Sequence, residues 1–299
     1  MNVDVMGLIV KREDGSEQVN YDDPNFPSYI YDGWIKPNVT WEKVPHFHED
    51  VEFVSVRSGK MAYCVNGKVI TLNAGDTIFV NANQIHYSIS EPGTLATYVI
   101  FVANPAILNA SVSVQMQALL PVLDNPNLPY IRFRYINENS QELQHLMFML
   151  PDLRRDPFQI TRIFFEIWNI ILTQSKSHGM LEEDAQGDLH AKAFKAMMFY
   201  IQKEYQNPLT LQEIAESGNV SRSLCNKIFH KYVGNSPVNY LLDFRVRKVA
   251  EYLRTTTLPL SEISTLTGFG GASYMSEMFK KAFGKSPREY RKMQITSDV

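Results

Sequence analysis

The last third of the sequence repeats itself at a spacing of fifty residues, and this duplication constrains the fold more than any other feature. Eight positions match across the repeat: Gly218/Gly268, Ser223/Ser273, Phe229/Phe279, Lys231/Lys281, Gly234/Gly284, Ser236/Ser286, Pro237/Pro287 and Tyr240/Tyr290. Chance would produce one or two matches in such a window, at about 6% per position. A repeat of this period indicates a structural unit that is present twice.

Each copy predicts a helix-turn-helix motif. Thr210 precedes LQEIAES and Ser261 precedes EISTLT, and hydroxyl side chains at such positions cap helix N-termini. A glycine-containing turn follows, and then a second helix, the element that enters the major groove of DNA in this motif. Residues 237–254 predict one helix between the copies. That helix would hold the two recognition helices at a fixed separation, so that they reach successive major grooves about 34 Å apart.

The second copy resembles the closing motif of the AraC-type transcription factors. The segment GFGGASYMSEMFKKAFGKSPREYR (268–291) carries the motif's fixed points, which are Gly268-Phe269, Ser273-Tyr274, Phe279-Lys280-Lys281, Gly284, Ser286-Pro287 and Tyr290-Arg291. The resemblance covers residues 194–293 and departs at Met275, where the family usually has Phe, a change that a core tolerates. It implies a transcription regulator, an activator rather than a repressor, that binds duplex DNA and works with RNA polymerase.

Helical phase separates two faces of the first recognition helix. Leu224, Ile228 and Val233 are expected in the core, which leaves the opposite face outward. By resemblance, the base-reading positions fall on Ser223, Asn226 and Lys227, with Ser221 and Arg222 beside them. Asn can pair with adenine edges and Lys with guanine edges, so direct readout is chemically available.

The second recognition helix offers mostly short side chains: Gly271, Ala272, Ser273 and Ser276. Its one acid, Glu277, could accept a hydrogen bond from a cytosine amino group, and we expect this helix to read fewer bases. Basic side chains suited to phosphates are Lys231, Lys280, Lys281, Arg288 and Arg291. For any one of them the alternative is a solvated charge.

The first part of the chain predicts a β-barrel with helices, which makes the protein a multi-domain α+β chain. Residues 28–102 contain short runs rich in β-branched and aromatic residues, and Asn66-Gly67 between two of them is a strong hairpin signal. From 105 to 177 the hydrophobic period becomes helical. The polar stretch 177–188 reads as a connection, so we predict domains at 1–185 and 186–299.

Apolar residues recur along one face of the helix over 160–171. The AraC-type resemblance implies a homodimer formed through helices in this region, and this stripe is the predicted seam. Packing of the same stripe against the barrel is the alternative.

His46, His48, Glu52 and the distant His86 resemble the metal-binding pattern of cupins, His-x-His-x3-Glu plus His. Side chains two apart on a strand share a face, so the first three could point together into a barrel. Three imidazoles and a carboxylate can bind Fe, Mn, Ni or Zn. Sensor barrels joined to such DNA-binding domains commonly keep these positions as effector contacts, so we expect an effector pocket and no cofactor. Bound metal and satisfied interior polar groups are the alternatives.

Aromatic residues near this pattern could stack on a sugar or another flat effector, although they could equally be core: Trp41, Tyr63 and Tyr87. The segment YDDPNFP (21–27) resembles the arm that precedes such barrels.

Charge and cysteine content agree with a DNA-binding protein of a reducing compartment, the cytoplasm. Residues 194–299 contain 15 Lys and Arg against 9 Asp and Glu, a net charge of +6, while the rest carries −9. Two cysteines are too few for a disulfide framework, and the N-terminus has no signal-peptide pattern. The most apolar stretch, 158–173, is interrupted by charges and too short to span a membrane.

Three functions fit these observations to different degrees. An effector-responsive transcription regulator, not an enzyme, accounts for both halves. A metal-dependent cupin isomerase or dioxygenase leaves the repeat unexplained, and an architectural DNA binder would show no effector response. The sequence GFGGAS is not preceded by a strand, so it is not a dinucleotide-binding fingerprint, and no cysteine pair has zinc spacing.

Overall fold

The computed structural model describes residues 12, 15–35, 44–89, 95–178 and 185–295, with side chains left out at 177–188 and beyond 292. The chain divides into two compact units, of which the larger lies within residues 9–188 and the other within 189–299. The predicted domain boundary at 185 falls on the first residue of a helix and stays a prediction.

The first unit is built on an antiparallel β-barrel, as the sequence predicts. Its strands are β1 (Ser28–Ile35), β2 (Val51–Val65), β3 (Lys68–Asn73), β4 (Thr77–Val80), β5 (His86–Ile89), β6 (Ala96–Ala103) and β7 (Tyr130–Phe133). The order is β1-β6-β2-β4-β7, with β3 and β5 also paired to β2. The hairpin predicted at Asn66-Gly67 is confirmed, because Val65 pairs with Lys68 across it. Strand β7 was missed, since it lies within the segment predicted to be helical.

Strand β2 belongs to both sheets of the barrel. Its first half pairs with β4 and β6 and its second half with β3 and β5. The register shifts between Val56 and Ser58, immediately before Gly59. Gly59 has φ +75°, and a Cβ there would lie 1.9 Å from the Leu95 carbonyl oxygen. Only glycine fits this bend, which lets one strand cross from one sheet to the other.

Alternate side chains of β2 enter two different apolar clusters. Phe53 packs in the cluster shared with the helices outside the barrel. Val54 packs in the cluster that joins side chains of both sheets, so its face is the barrel interior. Glu52 shares the face of Val54 and is buried there.

Helices cover the outer face of one sheet. After a 3-10 turn (Pro105–Leu108) come α1 (Val112–Val114), a π-helical turn (Gln115–Leu119), α2 (Leu120–Leu123), α3 (Glu138–Leu153) and α4 (Pro157–His178). The stripe over 160–171 of α4, predicted as a dimer seam, lies instead within the core of this unit. Phe164 packs edge-on against Phe101 with ring centroids 5.3 Å apart, and Trp168 packs against Phe79 at 6.1 Å. The seam prediction is wrong because the barrel already covers this face.

The second unit is helical in its described part. The bounds are α5 (Ala185–Glu204), α6 (Leu211–Ser217), α7 (Arg222–Val233), α8 (Pro237–Thr255), α9 (Leu260–Leu266), α10 (Ala272–Phe283) and α11 (Pro287–Ile295). Helices α6 and α7 form the first predicted helix-turn-helix and α9 and α10 the second. Thr210 and Glu213 form a capping box at α6. Helix α9 begins after Pro259 without a side-chain cap, so the cap predicted at Ser261 is two residues late.

Each half of α8 packs against a different motif. Near its start, Tyr240 contacts Phe229 of the first motif with ring centroids 5.5 Å apart. Further along, Val249 and Leu253 lie in a cluster with Phe279 of the second motif. The predicted connecting helix is therefore a shared core element.

The core face of α7 differs from the predicted one. Its buried side chains are Cys225, Ile228, Phe229 and Tyr232, whereas Leu224 and Val233 are only half-buried. The α5 residue Phe194 contacts Phe229 and Tyr232 with ring centroids 5.1 and 5.0 Å away. Because α5 packs against Phe229 and Tyr232, the face of α7 that carries them is buried. The periodicity of α7 alone does not predict this face.

Spanning a bilayer takes a helix of about 20 mostly apolar residues. Within the described ranges, no helix combines that length with that apolar character.

The turn of the second motif depends on Gly268, which has φ +72° and lies where a Cβ would be 2.4 Å from the Tyr205 carbonyl oxygen. Gly234 has a similar φ of +65°, but among the described residues nothing would lie within 4 Å of its Cβ. We expect Gly234→Ala to cost about 1 kcal/mol of unfolding free energy, for the left-handed backbone alone. Gly268→Ala should cost about 1–3 kcal/mol more, through overpacking. Urea unfolding followed by far-UV circular dichroism tests this, and equal losses would contradict it.

Candidate functional site

The barrel brings together the four residues of the cupin-like pattern. His46 and His86 face each other across an isolated antiparallel bridge, and His48 and Glu52 follow along the chain toward and into β2. Their possible ligand atoms all lie within 4.8 Å of one another. His48, Glu52 and His86 are buried, and His46 is half-buried. The cluster therefore forms one site at the edge of the barrel interior.

Each histidine ring is held by a backbone carbonyl two residues away. His46 Nδ1 donates to Val44 O at 2.8 Å, His48 Nδ1 to Asp50 O at 3.0 Å, and His86 Nδ1 to Gln84 O at 2.8 Å. A carbonyl oxygen only accepts, so Nδ1 carries the proton in all three rings. In the neutral form, each Nε2 then presents a lone pair to the cluster.

Glu52 lies among these Nε2 atoms. Its Oε2 is 3.6 Å from His48 Nε2 and 3.4 Å from His86 Nε2, while Tyr63 Oη donates to its other oxygen. His86 Nε2 is buried without a hydrogen-bond partner among the described residues. Lone pairs facing a carboxylate in a buried site repel each other unless a cation lies between them.

The pKa values of Glu52 and His48 show that the cluster favours positive charge. Burial would raise the pKa of Glu52, but its electrostatic interactions with His86 and His48 hold that pKa well below its usual range. Burial would likewise lower the pKa of His48, yet its contact with Glu52 raises it. Burial and the nearby His86 lower the pKa of His46 well below its ordinary value. The cluster therefore favours a bound cation, which can be a proton or a metal ion.

The residues present fit a divalent transition metal. Three imidazole nitrogens and one carboxylate are a donor set for Fe, Mn, Ni or Zn. Carbonyls that hold the distal ring nitrogen are the usual outer support of such ligands. Among the described residues, His86 Nε2 is a buried, unpartnered atom that a bound ion would satisfy directly.

The three predicted aromatic effector contacts, Tyr63, Tyr87 and Trp41, have different outcomes. Tyr63 belongs to the cluster, where its ring stacks on that of His86. Tyr87 follows His86 on β5, so it points to the opposite face. Trp41 lies outside the described residues.

Sequence reasoning missed two residues of this site. The Glu17 carboxylate approaches His46 Nε2 to 3.7 Å, and Asp50 supplies the carbonyl that holds His48. Burial raises the pKa of Asp50, whose side chain accepts a hydrogen bond from Tyr21 Oη at 2.9 Å. Glu17 lies far upstream of the motif, at a spacing that carries no signal in a single sequence.

The first recognition helix, α7, exposes most of the predicted DNA contacts. Arg222, Ser223, Lys227 and Lys231 are exposed. The Ser221 hydroxyl is also exposed and accepts from Leu224 N at 3.3 Å, so it caps the helix. Asn226 is half-buried, and its Nδ2 donates to the Arg222 carbonyl at 3.1 Å.

The second recognition helix, α10, begins after Gly271 without a side-chain cap. The predicted contacts Ser273, Glu277, Lys280 and Lys281 are exposed, as is Arg288 beyond the helix. Ala272 and Ser276 are half-buried, and the Ser276 hydroxyl donates to the Ala272 carbonyl. Met275 is fully buried, as the volume argument predicts. Tyr274, 51% exposed, is a further outward residue that was treated only as a motif position.

Arg291 departs from the predicted phosphate contacts. It is half-buried, and its Nη2 donates to the Leu258 carbonyl at 2.7 Å. This guanidinium braces α11 against the loop before α9, so a bond within the unit replaces the predicted role.

Each of the two units matches a known domain family. Residues 214–293 match the helix-turn-helix domain family and residues 35–102 the cupin domain family. The HTH-type transcriptional regulator YdeC of Bacillus subtilis (strain 168) is 25% identical over 276 residues, 89% of this chain and 92% of that protein. The HTH-type transcriptional activator RhaR of Pectobacterium carotovorum subsp. carotovorum (strain PC1) is 24% identical over 256 residues, 82% of this chain and 85% of that one.

Among solved structures, ToxT from Vibrio cholerae is similar with a TM-score of 0.47 and 12% identity, covering 89% of this chain and 98% of that chain.

The chain is thus a DNA-binding transcription regulator that joins a cupin ligand-binding domain to a helix-turn-helix domain. Its closing motif resembles that of the AraC-type regulators, and its two domain matches and its relatives agree with this resemblance.

Proposed function

We propose that the protein activates transcription in response to a small ligand held by the barrel cluster. The observation that carries the proposal is a buried set of polar ligand atoms in a chain that also presents two recognition helices. The relative RhaR is named a transcriptional activator, which supports activation. The regulator works on duplex DNA in the cytoplasm, as a homodimer in contact with RNA polymerase, with domains at 1–185 and 186–299.

We propose that the ligand controls DNA binding through its different affinities for two arrangements of the protein. A ligand changes DNA binding only if it binds two arrangements of the protein unequally. The barrel residues His46, His48, Glu52, Tyr63 and His86 are the proposed contacts. We propose that the ligand's free energy of binding favours the arrangement in which both recognition helices reach DNA.

The two recognition helices have different proposed tasks. In α7, Ser223, Asn226 and Lys227 read base edges, since amide and ammonium groups there match adenine and guanine. In α10, Lys280 and Lys281 contact phosphates, and Glu277 is the main base-reading group. The first motif then supplies most of the sequence preference and the second most of the salt-dependent affinity.

We infer that the cluster holds a divalent transition-metal ion, which the expectation of a cofactor-free pocket did not include. His46, His48, Glu52 and His86 would hold it, and Tyr63 would orient the Glu52 carboxylate. A bound ion supplies positive charge to which oxygen atoms of an effector can bind. The carbonyl-held rings and the unpartnered His86 Nε2 support this reading.

A metal-dependent cupin enzyme is the second candidate, and the same donor set favours it. The similarity to transcription regulators over most of the chain favours the regulator. We propose that the protein is not an enzyme.

Metal binding is tested with chelator-treated protein titrated calorimetrically with Mn²⁺, Ni²⁺ and Zn²⁺ in turn. We expect one ion per chain. His48→Ala should lower the metal affinity by more than about 100-fold, because removing a ligand costs more affinity than removing a hydrogen bond that supports a ligand. His145→Ala is the matched control, since His145 is exposed on α3. Equal affinities of the two variants, or wild-type protein that binds none of the ions, would refute the metal site.

Base reading is tested with Lys227→Ala on a duplex selected from random sequences by the wild-type protein. We expect preference at one base position to relax, at a cost of about 1–3 kcal/mol on the selected duplex only. Binding is measured by fluorescence anisotropy against single-base variants, with Lys176→Ala of α4 as the charge-matched control. Uniform weakening on all duplexes would remove Lys227 from base contacts.

Phosphate contact is tested with Lys281→Ala in a salt titration of the same complex. Affinity should fall alike on specific and unrelated duplexes, and the slope of log K against log salt should flatten by about one unit. Arg291→Gln is the control and should leave the slope unchanged, because its guanidinium donates within the unit. An unchanged slope for Lys281→Ala would exclude this lysine from the phosphate contacts.

A further inference from the structure

The segment before β1 carries a carboxylate to the histidine cluster. Glu17 Oε2 lies 3.7 Å from His46 Nε2, and its side chain is about as buried as that of His46, with 22% and 20% exposed. Glu17 therefore faces the histidine cluster through His46.

The backbone holds Glu17 in this position. Its N–H donates to the Phe47 carbonyl at 2.8 Å, and Phe47 is the residue between His46 and His48. On either side, Arg12 pairs with Glu49 at 2.7 Å and Tyr21 Oη donates to Asp50 at 2.9 Å. The segment is thus bonded along the stretch that supplies two of the imidazoles, so its position is set by the site itself.

The distance agrees with a shared metal ion. Nitrogen and oxygen ligands bind such ions at about 2.1 Å, so two ligands of one ion lie no more than about 4.2 Å apart. The separation of Glu17 from His46 meets this limit, as do those of Glu52 from His48 and from His86. The ligand atoms of the four-residue cluster spread over 4.8 Å, so some of them must move closer together to bind one ion.

We propose that Glu17 is a fifth protein ligand of a divalent metal ion bound by His46, His48, Glu52 and His86. The proposal rests on the metal-binding function proposed above. Four protein ligands leave an octahedral ion two open positions, and a fifth leaves one. The single open position would still admit one oxygen atom of an effector.

Mn²⁺ tests the proposal, because bound water molecules can be counted from the relaxation of solvent protons. The titrations use the full chain, with Glu17→Ala as the test variant and Glu142→Ala as the control. Glu142 is an exposed carboxylate on α3. We expect Glu17→Ala to raise the inner-sphere relaxivity of bound Mn²⁺ about twofold, as one water becomes two. Its Mn²⁺ Kd should rise about tenfold. Wild-type protein and Glu142→Ala should match each other.

Two other outcomes are possible, and each would contradict a different part of the proposal. If wild-type protein binds Mn²⁺ and Glu17→Ala leaves the relaxivity unchanged, Glu17 is not a ligand, and the four-residue metal site stands. If wild-type protein binds no Mn²⁺, Ni²⁺ or Zn²⁺, both the fifth ligand and the metal site fail, and the regulator is then judged by its DNA binding alone. Binding of each variant to the selected duplex and its far-UV circular dichroism report that the variant is folded.

Discussion

The bend of strand β2 at Gly59 is the constraint on which the barrel depends. One strand pairs with four others, and it can do so only because the backbone turns where a Cβ would meet the Leu95 carbonyl. The turn places Glu52 before the bend and Tyr63 after it on inward faces, where the tyrosine donates to the carboxylate. The polar cluster is therefore a product of the sheet geometry, since neither residue would reach the other along a straight strand.

Burial then determines what this cluster can hold. A carboxylate enclosed by apolar strands is costly unless positive charge accompanies it. The three imidazoles cannot turn away, because their Nδ1 atoms donate to carbonyls of their own segments. The rigidity of those bonds converts three adaptable side chains into a fixed set of nitrogen donors. The geometry and the charges of the site thus favour a cation.

The DNA-binding unit depends on a different element, the helix α8. Its beginning lies in the core of the first motif and its later turns lie in the core of the second. Two small motifs, each too small to bury a core alone, thus share one. Their outward faces have diverged: α7 is capped by Ser221 and presents amide and basic groups, whereas α10 starts without a side-chain cap and presents Ser273, Glu277 and lysines.

The sequence by itself determined the features that depend on near neighbours: the duplicated motif, the Asn66-Gly67 hairpin, the α6 capping box, and the His-x-His-x3-Glu spacing that puts three side chains on one inner face. Their physics is local, because turns, caps and strand alternation act within a few residues. Only the tertiary structure decided which surfaces meet. The barrel covers the face of α4 predicted as a dimer seam, and α5 turns the core face of α7. Arg291 bonds to Leu258, and Glu17 reaches His46. An amphipathic pattern says that a face will be buried, but the partner that buries it comes from a distant part of the chain, and no local period encodes that choice.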